Sequence, residues 1–197
     1  MNIQILYQTQ YSYAEPVSFS LHLFRLFPRT ERHVKVRSVQ FQTNLGAVLS
    51  YRRDLFDNEI ASCFYPGKSA LLAANLQISL EVEEKNAFGF LLESRALELP
   101  FDYSPEEARV LAPYLGQSGG LDLPFWKKPT AKRPTIETLV ELNSSIHDTL
   151  QYERREEGAA RSADETLSLG RGACRDFAVL MAEALRSLGL ASRLVSG

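Results

Sequence analysis

The sequence predicts an α+β fold in which an antiparallel β-sandwich is followed by a mainly helical region. Up to about residue 100, apolar and polar residues alternate in several runs that are separated by turn residues. Beyond that point, apolar residues recur every three or four positions, which is the period of an α-helix. The change of period near Pro100 predicts two domains, residues 1–100 and residues 101–197.

Alternation in the first region predicts a series of short strands. They are expected at residues 3–7, 17–23, 34–41, 51–54, 59–65 and 70–82. A one-residue slip in the alternation after Val36 indicates a β-bulge. Asp57 and Asn58 are typical turn residues, so the two strands that flank them are expected to form a hairpin.

Two capping boxes mark helix starts in the second region. Ser104 is followed three residues later by Glu107, and Ser162 is followed in the same way by Glu165. The helix that begins after Ser162 is expected to end at Gly170, because glycine is common just beyond helix C-termini.

Two longer helices are predicted from apolar stripes. The first stripe consists of Ile136, Leu139, Val140, Asn143, Ile146, His147 and Leu150. The second begins at Cys174 and consists of Phe177, Leu180, Met181, Ala184, Leu185 and Leu188. Gly189 is expected to cap the second helix, and residues 192–196 are expected to begin a strand.

Residues 116–134 are predicted to form a connecting loop, because glycine and proline recur there among basic residues. Trp126 is expected to anchor this loop on the core, with a place in the wall of a substrate groove as the alternative. The basic residues near it are interpreted as a solvated patch, with substrate steering as the alternative; they are Lys127, Lys128, Lys132 and Arg133. The charged run at residues 153–157 is likewise interpreted as solvated.

Composition limits the classes of function. The chain has 197 residues, of which 45% are hydrophobic and 23% charged, and its net charge is −2. This near-neutral balance does not favour binding to a polyanion, so no nucleic-acid partner is expected. No apolar run approaches the length of a membrane span, and no signal peptide is recognised. Two cysteines fit a reducing compartment, and we expect a cytoplasmic protein.

Cys174 is the residue most suggestive of chemistry. It lies where a glycine-containing turn, Gly170 to Gly172, opens a predicted amphipathic helix. The free amides and dipole at a helix N-terminus favour the thiolate form of a cysteine. Arg175 would favour it further if its side chain turned inward, whereas Asp176 would oppose it unless it binds helix amides. The alternative is a small, buried residue on the inner stripe of the helix.

The residues around Cys174 are candidates for shaping the site. Backbone amides near Gly172 and Ala173 could stabilise an oxyanion, because glycine lets the main chain approach closely. Arg175 and Asp176 are the charged side chains nearest to the thiol in sequence. These four residues are therefore expected to bind an oxyanion or to shape the site.

The other residues capable of chemistry lie elsewhere in the sequence. His22 and His33 fall in predicted strands, and His147 falls on the first long helix, where a core-edge residue is a more common role than a catalytic base. Cys63 lies within a strand pattern and is expected to be buried. No two of the histidines have the spacing of metal ligands, and neither a metal nor a cofactor is expected.

The sequence around Cys174 resembles a known family. Residues 170–178 (GRGACRDFA), 184–189 (ALRSLG) and 193–197 (RLVSG) are similar to the cysteine motif and the segments that follow it in the bacterial transglutaminase-like superfamily, of the cysteine protease type. Tyr152 matches a tyrosine that precedes the motif. The departures, which do not involve the cysteine, are Asp57, Ala191 and Leu194.

The first hundred residues resemble the β domain that precedes this core in one bacterial branch. The matching pieces are residues 11–13 (YSY), 26–29 (LFPR) and 54–58 (DLFDN). The resemblance implies that residues 1–100 are an accessory domain. It implies that residues 101–197 are the helical front half of a papain-like, transglutaminase-like core.

The resemblance also implies a mechanism. The Cys174 thiolate would attack an amide carbonyl of a peptide or protein and form a thioester, which water or an amine would resolve. The family's histidine and aspartate would lie beyond Gly197, so we expect this chain to be truncated within the core and inactive. The glutamine that papain-like enzymes use for the oxyanion is replaced here by Ser168.

Two further expectations follow from the resemblance. The same fold could instead serve as a non-catalytic module that binds a peptide, and a histidine and aspartate further along the reading frame would favour the enzyme. A core that lacks its last strands would also expose a sheet edge, which a homodimer could cover.

We predict that iodoacetamide alkylates Cys174 much faster than Cys63, because a thiol at a helix N-terminus is more reactive than a thiol within a strand of the core. Peptide mapping of partially labelled protein measures both rates in one sample. Equal rates at the two positions would contradict an activated thiol at Cys174.

Overall fold

The computed structural model describes residues 1–86, 88–116 and 120–195. The chain forms two compact units, residues 1–89 and residues 90–197. The first unit is built from β-strands, and the second contains the α-helices. The predicted α+β fold, with antiparallel sheets followed by helices, is confirmed.

The strands of the first unit form two antiparallel sheets. They are β1 (Asn2–Ser18), β2 (His22–Phe24), β3 (Val34–Thr43), β4 (Val48–Arg53), β5 (Glu59–Phe64) and β6 (Lys68–Val82). One sheet has the order β1-β6-β3 and the other has the order β2-β5-β4. Side chains from both sheets meet in one apolar cluster around Cys63 and Leu72, which are both buried.

Most of the predicted strands are confirmed. The β4–β5 hairpin turns through Asp57, whose φ of 63° lies in the left-handed region. The register of β3 against β6 shifts between Val36 and Ser38, where the sequence predicted a bulge. The single strand predicted at residues 17–23 is wrong. The chain leaves one sheet after Ser18 and enters the other at His22, so the two ends of that run pair with different strands.

The second unit alternates short strand pairs with helices. Its elements are β7 (Glu98–Leu99), α1 (Pro105–Leu111), β8 (Arg133–Pro134), α2 (Thr135–Thr149), β9 (Gln151–Tyr152), α3 (Ala163–Leu169), β10 (Arg171–Gly172) and α4 (Cys174–Ser187). The β7–β8 pair is antiparallel, and the β9–β10 pair is parallel.

Both capping boxes are confirmed. The Ser104 hydroxyl accepts a hydrogen bond from the Glu107 amide at 3.3 Å, and the Glu107 carboxylate accepts one from the Ser104 amide at 2.8 Å. Ser162 and Glu165 exchange the same two bonds at the start of α3. Gly170 ends α3 with a φ of 63°, as its residue type predicted.

The predicted inner stripe of α2 is right in part: Ile146 and Leu150 are buried and Ile136 and Leu139 are half-buried, but its other three members are not. Val140, Asn143 and His147 are exposed, and the buried residues of the helix are Thr135, Thr138, Leu142 and Ile146. The two threonines can be buried because each hydroxyl donates to a carbonyl, Thr135 to Ala96 at 2.6 Å and Thr138 to Pro134 at 2.8 Å. The pattern of apolar residues could not predict that Thr135 and Thr138 are buried, because both are polar.

The predicted stripe of α4 is confirmed. Leu180 and Ala184 are buried in the core of the second unit, where the half-buried members of the stripe pack around them. Trp126 belongs to the same core, so the prediction that it anchors its loop is confirmed. Lys128 donates to the carbonyl of Ser187 at the end of α4, which is a structural role within the predicted basic patch. The predicted loop includes residues 117–119, which lie outside the described residues.

Residues 192–195 do not form the predicted strand. The Ser192 amide donates to the carbonyl of Tyr114 at 2.9 Å, and the Arg186 guanidinium donates to the Ser192 carbonyl at 2.8 Å. These partners hold the main chain against the end of α4 instead of against a sheet. Ser196, the last residue of the predicted strand, lies outside the described residues. Among the described residues, none of the helices combines the length and apolar character needed to span a membrane.

We predict that Glu107 makes the stability of the second unit pH-dependent in acid. The Arg95 guanidinium, 2.6 Å away, and the Ser104 amide hold the pKa of Glu107 at about 2, below its ordinary value of 4.5. The stabilisation is therefore complete above pH 4.5 and is lost as the pH falls toward 2. Glu107→Gln should lower the melting temperature at pH 6, and the difference from wild type should disappear near pH 2.

Thermal unfolding followed by the fluorescence of Trp126, the only tryptophan, reports on the second unit alone. Glu106→Gln is the matched control, because Glu106 is 77% exposed and its nearest cation, Arg109, is 3.7 Å away. A gap between Glu107→Gln and wild type that persisted unchanged at pH 2 would contradict the assignment.

Candidate functional site

The thiol of Cys174 is exposed at the first residue of α4. Ala173 precedes it as the N-cap residue, with φ −81° and ψ 169°. The alternative interpretation of Cys174 as a residue buried in the core is therefore wrong. At this position the sulfur lies near the positive end of the helix dipole, where a negative group is stabilised.

Gly172 permits the tight turn that leads into α4. A Cβ atom at this position would lie 2.9 Å from the Cβ of Asp176 and 3.1 Å from the ring of Phe177. No larger side chain fits without moving the first turn of the helix. The β9–β10 pair fixes the same turn from the other side, because the Gln151 amide donates to the Gly170 carbonyl at 3.0 Å and the Glu153 amide donates to the Gly172 carbonyl at 2.9 Å.

Asp176 is fully buried directly behind the exposed thiol. One carboxylate oxygen accepts hydrogen bonds from the Arg155 guanidinium at 2.6 Å and from the Arg161 amide at 2.8 Å. The other accepts from the Ala173 amide at 2.8 Å. The carboxylate thus joins the N-terminus of α4 to the loop between β9 and α3.

Asp176 remains ionised in this buried position. Burial raises the pKa of its carboxyl group, but the hydrogen bonds from the Arg161 and Ala173 amides and from Arg155 outweigh that effect and lower the pKa overall. Its partner Arg155 is 20% exposed and also donates to the carbonyls of Ala159 at 2.9 Å and Glu157 at 3.2 Å. This guanidinium therefore links the Asp176 carboxylate to the main chain of the loop at Glu157 and Ala159.

The side chains of Arg175 and Arg171 bind groups of the loop before α3. The Arg175 guanidinium donates to the carbonyl of Glu157 at 2.8 Å, and the Arg171 side chain lies 3.5 Å from the Glu153 carboxylate. Both side chains therefore stabilise the loop that precedes α3. The sequence left open whether Asp176 binds amides at the helix start. The structure shows that it accepts a hydrogen bond from the amide of Ala173, the N-cap residue.

The amides near the thiol differ in their availability. The Ala173 amide donates to Asp176, and the Gly170 amide donates to the Leu167 carbonyl, so neither is free for an oxyanion. The described residues offer no acceptor to the amides of Cys174 and Arg175, which are the first two of the helix. Ala173 and Asp176 therefore shape the turn, and the unpaired donors lie at the cysteine itself.

The three histidines are engaged elsewhere. His147 is exposed on α2 and lies 2.9 Å from the carboxylate of Asp148. His22 in β2 packs edge-on against Tyr65, and His33 lies 3.6 Å from Glu31. Cys63 is buried in β5, as the sequence predicted, and burial raises the pKa of its thiol despite a hydrogen bond with Tyr65.

Sequence reasoning missed the basic partners of Asp176. Residues 153–157 were expected to be solvated, and that expectation fails for Arg155, which binds the buried carboxylate, and for Glu153, which pairs with Arg161 at 3.2 Å. The sequence did contain a signal for such a partner. Asp176 directly precedes Phe177 of the inner stripe, and a buried carboxylate at that position needs a cation or several hydrogen-bond donors. The sequence could not say which arginine would reach it.

Two family models match the chain. Residues 3–83 match the bacterial transglutaminase-like N-terminal region, and residues 126–197 match the transglutaminase-like superfamily. The fold is similar to that of a crystal structure described as a putative cysteine protease from Cytophaga hutchinsonii, with a TM-score of 0.58 and 11% sequence identity. The alignment covers 96% of this chain and 66% of that one, so this chain spans just under two thirds of that relative. No curated protein matches the sequence.

The two family matches, supported by the shared fold, indicate a transglutaminase-like protein. More particularly, the chain has the bacterial transglutaminase-like N-terminal region followed by a transglutaminase-like segment that contains Cys174. The resemblance inferred from the sequence is confirmed by these matches and by the shared fold.

We predict that Arg155→Met destabilises the second unit by about 2 kcal/mol, because the buried Asp176 carboxylate loses its hydrogen-bonded cation and keeps only the Arg161 guanidinium, 4.0 Å away. Arg154→Met is the matched control: Arg154 is 81% exposed and pairs with Glu156, which is 75% exposed. Its effect should stay within about 0.5 kcal/mol. Urea unfolding monitored through Trp126 compares the two variants, and equal losses would refute a special role for Arg155.

Proposed function

We propose that this chain carries the nucleophile of a cysteine enzyme that acts on amide bonds of peptides or proteins through a thioester. The observation that supports this most directly is the exposed thiol of Cys174 at the first residue of α4, on a turn fixed by the buried Asp176. The family match contributes the reaction class. Residues 1–100 would serve as the accessory domain and residues 101–197 as part of the catalytic core.

The chemistry follows from the geometry of the helix start. The thiolate of Cys174 adds to the amide carbonyl carbon, and the carbonyl electrons move onto oxygen. The free amides of Cys174 and Arg175 are the donors best placed to stabilise that oxyanion. The C–N bond then breaks, the amine leaves with a proton, and a thioester remains on sulfur. Water would resolve it in proteolysis or deamidation, and a second amine would resolve it in cross-linking.

Turnover needs a group that moves protons between sulfur, amine and water. General acid–base catalysis contributes roughly 10²- to 10⁴-fold to such reactions. The histidines of this chain have other partners, so we propose that residues 1–197 form the thioester only with activated acyl donors and do not complete a cycle on amides. Two free cysteines are compatible with a reducing compartment such as the cytoplasm, which is where we propose that the protein acts.

An activated ester tests the nucleophile without requiring a base. With p-nitrophenyl acetate, we predict one rapid equivalent of p-nitrophenolate and one acetyl group on Cys174, found by peptide mass mapping. Acetylation should be roughly tenfold faster than in the urea-unfolded chain, because only the folded chain has the helix dipole at the thiol. Cys174→Ser should abolish the burst, and Cys63→Ser should leave it unchanged.

Two outcomes would count against the proposal. Acetylation of Cys174 at the same rate in the folded and unfolded chains would show that the fold does not activate the thiol, and the non-catalytic peptide-binding module would then be the better account. A burst that survived in Cys174→Ser would assign the nucleophile to another residue.

A further inference from the structure

Residues 2–12 of the edge strand β1 lack the features that normally keep a sheet edge from pairing, and the strand's charge, proline and register shift all come after Ser12. Strand β1 is the first strand in the order β1-β6-β3, so one of its sides has no neighbour within the described sheet. Residues 2–14 contain no charged residue, no proline and no glycine. Natural edge strands are usually protected by lysine, proline, bulges or short length. A long, uncharged edge of this kind is expected to pair with another strand.

The opposite edge of the same sheet is protected. In β3, Lys35 lies 3.1 Å from the Glu83 carboxylate, and Arg37 is paired with Glu81. The register of β3 also shifts between Val36 and Ser38. The two edges of this sheet therefore differ, because residues 2–12 of β1 carry neither charged side chains nor a register shift.

The main-chain groups that β1 presents at its free side can be assigned. Met1 and Val82 exchange both hydrogen bonds, at 2.6 Å and 2.7 Å. Such pairs alternate along an antiparallel ladder, so the odd-numbered residues of β1 bond to β6 and the even-numbered residues point their amides and carbonyls outward. The outward set comprises Asn2, Gln4, Leu6, Gln8, Gln10 and Ser12.

The side chains of β1 are also open. Ile5, Leu6, Tyr7 and Tyr11 are all exposed, with Leu6 at 61%. Alternate residues from Tyr7 to Tyr13 line one wall of a groove of about 340 Å³, which His22 and Arg25 line from the side of β2. A strand added beside β1 would extend the sheet along this groove and cover apolar and aromatic surface that now faces water.

We propose that β1 pairs with β1 of a second copy of this chain, antiparallel and about a two-fold axis. The charge pattern favours this occupant. A neutral strand does not select a partner of opposite charge, and two identical neutral strands meet without repulsion. A two-fold contact of this kind uses the same surface on both copies. Pairing therefore covers both β1 edges in a dimer and leaves no free β1 edge to extend into a fibre.

The regular part of β1 sets the register. The ladder with β6 is unbroken from Asn2 to Ser12 and shifts before Val17. Full overlap of Asn2–Ser12 with its copy places Tyr7 on the two-fold axis. The outward-pointing residues then face each other in hydrogen-bonded pairs, Leu6 opposite Gln8. Tyr7 meets its own copy in a pair without hydrogen bonds, where side chains approach most closely.

Disulfide trapping tests the register. In a Cys174→Ser background, Tyr7→Cys should form a dimer linked by a disulfide under mild oxidation, because Cα atoms about 4.5 Å apart suit the bond. Leu6→Cys is the matched control: its position faces Gln8 of the other copy, so cross-linking should be at least about fivefold slower. Equal rates for the two variants would overturn the register.

Sedimentation equilibrium tests the interface itself. Gln8→Lys brings two like charges to diagonal positions across the axis, so the dimer dissociation constant should rise by at least about tenfold. Gln40→Lys makes the same change at an exposed glutamine of β3, the protected edge, and should alter the constant by less than about twofold. A wild-type chain that stayed monomeric at about 100 μM would overturn the proposal.

Hydrogen exchange separates a second copy from other occupants of the edge. In the dimer, the amides of Leu6, Gln8 and Gln10 should exchange more slowly as protein concentration rises. Slow exchange at all concentrations in a monomer would show that another part of the same chain covers β1, and fast exchange at all concentrations would show that the edge stays open. Either result would refute pairing between copies. The acetylation of Cys174 does not depend on β1, so failure of one proposal leaves the other standing.

Discussion

The candidate site depends on one buried charge. Asp176 accepts hydrogen bonds from the Arg155 guanidinium and from the amides of Arg161 and Ala173, and none of its surface reaches water. A carboxylate in this position would be costly without those donors, and with them it locks the N-terminus of α4 to the loop before α3. These hydrogen bonds also fix the position of Cys174, because Cys174 is the first residue of α4 and directly follows Ala173, whose amide donates to Asp176.

The rest of the site follows from close backbone contact. Gly172 lets the chain pass within contact distance of Asp176 and Phe177, and the parallel β9–β10 pair holds the carbonyls of Gly170 and Gly172. The Cys174 thiol is therefore exposed on a turn that hydrogen bonds hold from the inner side. The reaction proposed for this site would use such an accessible thiol on a fixed support.

The two units handle unsatisfied polar groups in different ways. In the second unit, capping boxes and buried threonines that donate to carbonyls satisfy several polar groups, whereas Trp126 Nε1, Arg155 Nε and Arg175 Nε are buried without a hydrogen-bond partner in the described part of the chain. In the first unit, the outward amides of β1 have no partner strand in the described sheet, and residues 2–14 carry no charged side chain. The same requirement, that main-chain groups find partners, is met by local capping at the starts of α1 and α3 and is left unmet along the outer side of β1.

The sequence by itself determined the elements that depend on neighbours in the chain. The capping boxes at Ser104 and Ser162, the helix end at Gly170, the bulge after Val36 and the helix start at Cys174 all rest on contacts within a few residues. The transglutaminase-like resemblance was also readable from the motif around Cys174. These features could be predicted because local geometry and residue type fix them.

Only the tertiary structure decided the features that join distant residues. It selected Thr138 and Leu142 instead of Val140 and Asn143 for the buried side of α2, and it broke the strand expected at residues 17–23 between two sheets. It also brought Arg155 to Asp176, which lies 21 residues further along the chain. Hydrophobic period and charge pattern indicate which residues could be buried or paired. Which of them are buried or paired depends on the surfaces that meet in the folded chain. The free-energy cost of burying a polar group depends on the hydrogen-bond partners that it finds there.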